Sequence, residues 1–411
     1  MVATVVRARV AASGHDLQLD AVRGLAALSV TTQHVLGVGG GSVPESIVRI
    51  ESPIGEAGLG LFFVLSGFLL GGPFVRHLVD GRPRPRLRVY AVRRALRILP
   101  AYWVVFAVTA LALGAMGILA ETGRGGPLSG GDWLGGVFWV DNWLPGDRGH
   151  AVLPQSWSLS VEAGFYVVLP LVAAGLAAGR RERVRPERLL LGLAGAWAVL
   201  AVAEQLLART TWMTGTAAGY VTTIHLTYLR LFIPGIAVAV MTTEAARRRL
   251  PSSTALLTTP TVRAFAPFVI GALLTVTTAI WLSAGSDVGL LEWRRDTAAA
   301  AAAVLVGSAL ASRRTAVMRA AVRLLAPVGT VAYGVYLLHW VVLRVAVEER
   351  LFPLPVPDLL ATPAKLAVGL GGALILGLLL HVGVERPAMA MTRRLSRPRD
   401  ATGRAVRATA T

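Results

Sequence analysis

An arginine and a histidine share one apolar stretch near the start of the chain, between Leu19 and Val38. Arg23 and His34 are eleven residues apart, close to three helical turns, so a helix puts both side chains on one face, roughly 16 Å apart along its axis. Ionisable side chains are costly in hydrocarbon and commonly face a protein interior, where they bind ligands or carry protons. The spacing therefore favours a site inside a helical bundle. The alternative is an arginine that extends to the membrane surface beside a hydrogen-bonded structural histidine.

A second histidine lies in a comparable stretch near the other end of the chain. His339 occurs in AYGVYLLHW, where helical spacing puts it on one broad face with Tyr333, Tyr336 and Trp340. This pattern brings two hydroxyls beside an imidazole, so Tyr336 and His339 are candidate site residues. A structural role for a buried histidine is the alternative.

A carboxylate, Glu162, lies in the segment SWSLSVEAGFY, shortly after the start of a long apolar run. Such a group needs a partner. Ser158 lies one turn away and is a further site candidate. Pairing with His34, His339 or an arginine would satisfy the charge of Glu162. We expect Glu162, His34 and His339 to meet in the outer half of the bundle.

Arginines are expected at the opposite, inner end of the bundle, where Arg94 and Arg97 join Arg23. A guanidinium binds phosphate through a fixed fork of donors, and an imidazole takes a proton from a hydroxyl near neutral pH. This division suggests a phosphorylated ligand on the inner side and a hydroxyl substrate on the outer side. Membrane topology alone also predicts inner arginines without any ligand.

Small and polar residues in two further segments have more than one interpretation. Ser66 and Gly67 lie at the middle of GLGLFFVLSGFLLGG, where small residues allow close helix packing and Ser66 is also a site candidate. His225 and Arg230 lie near an outer interface. They are either structural or face the hydroxyl substrate expected on that side.

Composition identifies an integral membrane protein. The 411 residues are 54% hydrophobic and 16% charged, and apolar segments near 20 residues, each long enough to cross a bilayer, recur throughout the chain. We predict an all-α, polytopic bundle of about ten transmembrane helices. The ten segments are 19–39, 54–75, 98–119, 157–178, 189–208, 221–242, 264–284, 297–311, 322–346 and 364–384.

The charge distribution predicts the topology. Of the 41 basic residues behind the net charge of +18, thirty lie in alternate connecting segments and eight in the others. This asymmetry follows the positive-inside rule and predicts two cytoplasmic termini and no nucleic-acid partner. The bias toward arginine, alanine and glycine, with a single lysine, suggests a bacterial source and hence the inner membrane of a bacterium. We divide the chain into a cytoplasmic segment (1–18), a membrane domain (19–388) and a basic, disordered tail (389–411).

Several kinds of chemistry are disfavoured by missing motifs. The first sixteen residues have no apolar core, so no cleavable signal peptide is predicted. The chain has no cysteine, which excludes a disulfide framework, a thiolate nucleophile and a cysteine-ligated metal. It also lacks an HExxH motif, a phosphate loop and a Gly-x-Ser-x-Gly elbow. No metal site and no bound cofactor are predicted.

Five motifs in order resemble the acyltransferase 3 family of membrane-bound O-acyltransferases, which modify bacterial surface polysaccharides and some secreted small molecules. They are LDAVRGLAALSVTTQHV, GLGLFFVLSGFLL, RRALRILPAYW, SWSLSVEAGFYVVLP and YGVYLLHW, and together they cover nearly the whole chain. Two features depart from the family pattern. Ala163 and Gly164 stand where a bulky residue is common, and the distance from Arg230 to Gly235 is shortened.

The resemblance implies transfer of an acyl group, usually acetyl, from cytoplasmic acyl-CoA as co-substrate to a hydroxyl of a carbohydrate or glycosylated acceptor. It makes His34 the catalytic base and has Arg23 orient the donor. It implies that Arg94 and Arg97 bind the CoA phosphates or line the inner mouth of the site. Glu162 becomes a further site residue, as do Tyr336 and His339.

Two alternatives to an enzyme stay open at the level of sequence. A ten-span transporter or flippase would use His34 and Glu162 as a proton relay and the arginines to bind an anionic or sugar-containing substrate. The second alternative is a scaffold or sensor without turnover, which does not explain why ionisable residues cluster in the outer half of the bundle. For the enzyme, direct transfer and an acyl-enzyme on His34, Ser66 or Tyr336 are both compatible with the residues.

Overall fold

The structure is a computed structural model that describes residues 17–38, 45–115, 130–139, 152–179, 182–214, 228–250, 288–311, 316–348 and 358–395. The regular elements in these ranges are all helical. The α-helices are α1 (Leu17–Val38), α2 (Glu45–Asp80), α3 (Leu87–Ala115), α4 (Gly130–Phe138), α5 (Ser156–Ala177), α6 (Pro186–Thr214), α7 (Ile233–Met241), α8 (Glu244–Arg249), α9 (Val288–Ala311), α10 (Ala316–Val342), α11 (Asp358–Leu380) and α12 (Arg386–Leu395). Two π-helical segments, Leu343–Glu348 and His381–Glu385, follow α10 and α11.

The helices have the length and apolarity of a membrane protein. Six segments within the described residues are long and apolar enough to cross a bilayer: Ile54–Asp80, Leu87–Ala112, Ser156–Ala177, Pro186–Leu206, Arg319–Val345 and Thr362–Thr392. Large apolar side chains such as Leu191 and Val199 on α6 are exposed on the outside of the bundle, as lipid-facing positions require. The prediction of a helical membrane protein is confirmed.

The predicted count of ten spans is only partly matched. Helices α1 and α9 cover the predicted spans 19–39 and 297–311 but do not reach the apolarity of the six. The span predicted at 221–242 is described only as the shorter apolar segment Tyr228–Met241. The span predicted at 264–284 lies outside the described residues, as do most of the N-terminal segment and residues 396–411 of the predicted tail.

Close contact between α1 and α10 sets the geometry of the site. A Cβ atom on Gly24 would collide with the Leu325 carbonyl oxygen, and one on Gly329 would collide with that of Asp20. Glycines at both positions let the two parallel backbones touch. Ten residues further along each helix stand His34 and His339, so the glycine contact aligns the two histidines.

The basic connecting segments gather at one end of the bundle, which we call the basic end. The linker Gly81–Arg86 lies there between α2 and α3, and the Asp80 carboxylate accepts hydrogen bonds from the first turn of α8 (3.0 Å from the Ala245 amide). Arg249 at the end of α8 lies 3.6 Å from Glu187 at the start of α6. These contacts join the ends of α2, α6 and α8 at the basic end.

Candidate active site

One cavity of about 820 Å³, including its open mouth, lies between five helices. Each helix contributes residues at helical spacing, so one face of each lines the space. The lining residues are Arg23 from α1; Leu59, Phe62, Phe63, Leu65, Ser66, Leu69 and Leu70 from α2; Arg94, Arg97 and Ile98 from α3; Ser158, Leu159, Glu162 and Tyr166 from α5; and Tyr333 and Tyr336 from α10. Seven of the nine site residues predicted from the sequence line this cavity. They are Arg23, Ser66, Arg94, Arg97, Ser158, Glu162 and Tyr336.

Three guanidinium groups give this cavity an excess of positive charge. Arg23 forms an ion pair with Asp20 at 2.5 Å, and Arg94 lies over the Tyr166 ring, 6.0 Å from its centre. Among the residues that the structure describes, Arg94 and Arg97 form no ion pair, and Glu162 is the one carboxylate in the lining. The cavity therefore suits an anionic ligand.

Glu162 belongs to this arginine cavity and not to the histidine pair. The Ser66 hydroxyl donates a hydrogen bond of 2.9 Å to Glu162 Oε1, which places both candidates at one point of the wall. The sequence indicated an arginine or a histidine as the partner of Glu162. The structure supplies Ser66 from α2 and Tyr166 from its own helix, α5, as its hydrogen-bond partners, and the arginines line the same cavity.

A pair of hydroxyls connects the cavity to α10. Ser158 Oγ and the Tyr336 hydroxyl are 2.6 Å apart, and each lies 3.1 Å from the Gln155 carbonyl oxygen. One hydroxyl therefore donates to the carbonyl while the other donates to its neighbouring hydroxyl. Gln155 is held in turn by its side-chain amide, which donates to the Leu337 carbonyl oxygen at 2.8 Å. The entry to α5 is thereby fixed to α10. Sequence analysis missed Gln155, although a glutamine directly before the Ser-Trp-Ser entry was a visible signal.

The two histidines lie side by side next to this hydroxyl pair. The ring centres of His34 and His339 are 4.9 Å apart, and the Tyr336 ring lies 5.6 Å from that of His339. His34 also meets the edge of Trp340, with ring centres 5.4 Å apart. His34 and His339 are not part of the cavity lining. Tyr336 lines the cavity and also packs against His339, so it connects the cavity to the histidine pair.

The hydrogen bonds of His34 determine which ring nitrogen is basic. His34 Nδ1 lies 2.9 Å from the Val30 carbonyl oxygen, which can only accept a hydrogen bond. In the neutral ring the proton is therefore on Nδ1, and Nε2 carries the lone pair. This is the tautomer that a general base acting through Nε2 requires.

A cluster of one arginine and two carboxylates is buried away from the cavity lining. Arg230 is 1% exposed and forms ion pairs with Glu204 on α6 and with Asp296 on α9, the latter at 3.1 Å. Of the two interpretations of Arg230, the structural one fits these contacts. His225 lies outside the described residues.

A buried pair that the sequence analysis did not single out lies on the second π-helical segment. His381 Nδ1 is 2.9 Å from Glu385 Oε2, and both residues are 6% exposed. The spacing of four residues in HVGVE was the available signal. The pair is outside the cavity lining.

Comparison with known proteins gives one match. The acyltransferase 3 family model, described as an acyltransferase domain, matches residues 16–382. No curated protein and no solved structure matches the chain.

Proposed function

The chain belongs to the acyltransferase 3 family, and from that premise we propose that it transfers an acyl group, in the first place acetyl, from acyl-CoA to a hydroxyl of a carbohydrate or glycosylated acceptor. The observation that carries the proposal is the joining of an arginine-lined cavity to a histidine pair through one tyrosine, Tyr336. The membrane domain would work in the inner membrane of a bacterium, taking its donor from the cytoplasm.

The cavity supports the donor half of the proposal. Acyl-CoA carries several phosphates and a long, largely apolar arm. Guanidinium forks bind phosphates, and the three arginines of the lining supply them. The leucines and phenylalanines of α2 offer an apolar wall for the arm and its acyl end.

His34 supports the transfer half. In the reaction, the acceptor hydroxyl oxygen attacks the thioester carbonyl carbon, the carbon–sulfur bond breaks, and the hydroxyl proton passes to His34 Nε2. The released CoA thiolate takes up a proton to give the free thiol. The Val30 carbonyl keeps the His34 proton on Nδ1, so the lone pair of Nε2 is available for this step.

The test is transfer of label from radioactive acetyl-CoA to an envelope extract by purified protein in nanodiscs. His34→Asn retains an amide donor for the Val30 carbonyl but has no Nε2. We expect it to lower kcat by about 100-fold or more, within the usual contribution of a general base, and to leave donor binding unchanged.

A matched control is His77→Gln. His77 also bonds a carbonyl oxygen through Nδ1, that of Arg82 at 2.8 Å, but it lies at the basic end and outside the cavity lining. It should transfer label at the native rate. Full activity of His34→Asn would remove His34 from the mechanism, and failure of the native chain to bind any acyl-CoA would favour a transporter instead.

A further inference from the structure

His339 has a buried nitrogen atom that its surroundings leave without a partner. The residue is 0% exposed, and its Nδ1 lies 2.6 Å from the Tyr336 carbonyl oxygen. His339 Nε2 has no hydrogen-bond partner among the described residues. Buried polar atoms are nearly always hydrogen-bonded, so an orphan of this kind calls for an explanation.

The tautomer of His339 follows from its carbonyl contact in the same way as that of His34. A carbonyl oxygen only accepts, so the proton of each neutral ring is on Nδ1 and both Nε2 atoms carry lone pairs. Two lone pairs cannot bond each other. One added proton would change this, because a protonated Nε2 on one ring can donate to the lone pair of the other.

The separation of the ring centres is compatible with such a bond once the two Nε2 atoms face each other. An N–H···N hydrogen bond of about 2.9 Å between two imidazoles puts their centres roughly 5 Å apart. The centres of His34 and His339 are 4.9 Å apart. The close contact of α1 and α10 at Gly24 and Gly329 keeps the two helices that carry these rings together.

We propose that His34 and His339 act as one proton-holding unit, in which the proton that His34 takes from the acceptor hydroxyl is shared between the two Nε2 atoms. His339 then supplies the partner that the His34 imidazolium would otherwise lack in a buried site. The inference rests on the proposed function for the source of the proton, but the pairing itself needs no substrate.

The neighbours of the pair favour one shared proton over two. His34 faces Trp340 on its other side, and the guanidinium of Arg344 lies over that indole, 5.8 Å from the ring centre. The neighbour of His339 is Tyr336, whose hydroxyl is bonded to Ser158. None of these contacts brings a carboxylate to the pair, and a second proton would be opposed by the charge of the first.

The transfer of the proton balances without an additional reagent. The hydroxyl proton moves to His34 Nε2 as the new carbon–oxygen bond forms, and the shared unit holds it while the carbon–sulfur bond breaks. The proton then leaves the unit, directly or through solvent, and the thiolate is released as the neutral thiol. The histidines return to two Nδ1-protonated rings.

The direct test is solid-state NMR of protein labelled with 15N-histidine in nanodiscs, without substrate. The chain has only seven histidines, and His34→Asn and His339→Asn assign the two resonances of interest. We expect both neutral rings to be protonated on Nδ1. On acidification through the range in which imidazole titrates, a 15N–15N coupling between the two Nε2 atoms should appear and should be absent from both variants. Absence of the coupling throughout that range in the folded native protein overturns the proposal.

Steady-state kinetics of two His339 variants distinguish a role of Nε2 in proton transfer from a merely structural role. His339→Asn keeps a donor for the Tyr336 carbonyl but removes Nε2, whereas His339→Gln places an amide oxygen near the former Nε2. We expect kcat to fall about 100-fold in the first variant and considerably less in the second, with the donor KM unchanged in both. Equal losses in the two variants contradict a role for Nε2. If the coupling is present but the native chain transfers no acyl group, the proposed function fails and the histidine pairing stands.

Discussion

Arg230 and the pair Arg94 and Arg97 are arginines in apolar segments, but the structure uses them in opposite ways. Arg230 is almost fully buried and is enclosed by the carboxylates of Glu204 and Asp296. Arg94 and Arg97 are half-buried, line an open cavity and have no ion-pair partner among the described residues. A buried arginine that is paired with carboxylates stabilises the fold, whereas cavity-lining arginines without an ion-pair partner are available to bind a ligand.

Breaking the closed cluster should have the largest effect, and it should be an effect on folding. Arg230→Met leaves the largely buried carboxylates of Glu204 and Asp296 without their shared ion-pair partner, so we expect the free energy of unfolding to fall by about 3–5 kcal/mol. Thermal unfolding and folded yield in detergent measure this. Replacing Glu204 and Asp296 by leucine in the same variant should recover most of the loss. A normal unfolding temperature with lost acyl transfer would instead place Arg230 in the site.

The same change in the open cluster should affect binding and not folding. In the double variant Arg94→Met, Arg97→Met, the loss of charge-assisted hydrogen bonds to phosphate, each about 1.5–3 kcal/mol, should weaken acyl-CoA binding by about 100-fold or more. Calorimetric titration measures the binding, and thermal unfolding should stay close to that of the native chain. Unfolding of this variant would show that the two arginines have structural partners.

Arg23 sharpens the comparison because it combines both properties. It lines the cavity and also pairs with Asp20, whose side chain is 6% exposed. Asp20→Asn removes the competing charge, so we expect acyl-CoA to bind a few-fold more tightly while stability falls by about 2 kcal/mol. Weaker donor binding would mean that Asp20 orients Arg23 for the ligand. Glu244→Gln, which breaks an exposed pair with Arg247, is the control and should change stability by less than about 0.5 kcal/mol.

The sequence carried enough information to predict the helical membrane architecture, because apolar length and the positions of arginines depend only on local composition. It also indicated that His34 and His339 belong together, since both lie in the outer half of spans that run the same way. The contact of Glu162 with Ser66 could not be predicted in this manner. Helical spacing says which face a side chain occupies, but Ser66 reaches Glu162 only because α2 packs beside α5.

The Ser158 and Tyr336 contact shows the same limit. These residues are far apart in the chain, and their hydroxyls meet because Gln155 fixes the start of α5 to the Leu337 carbonyl. The acids around Arg230 likewise come from two helices, α6 and α9. Periodicity within one helix contains no information on such pairings, which depend on tertiary packing.

The most direct test of the account is the separation of kcat from KM for acetyl transfer by the native chain, His34→Asn and the double arginine variant, with acetyl-CoA varied to saturation. The account predicts that the arginine variant regains a near-native kcat at high donor concentration, since its cavity is weakened only in binding. It predicts that His34→Asn keeps the native donor KM and does not regain kcat at any concentration. A His34→Asn enzyme that recovers at high donor, or an arginine variant that never does, would contradict the division between a donor cavity and a histidine base.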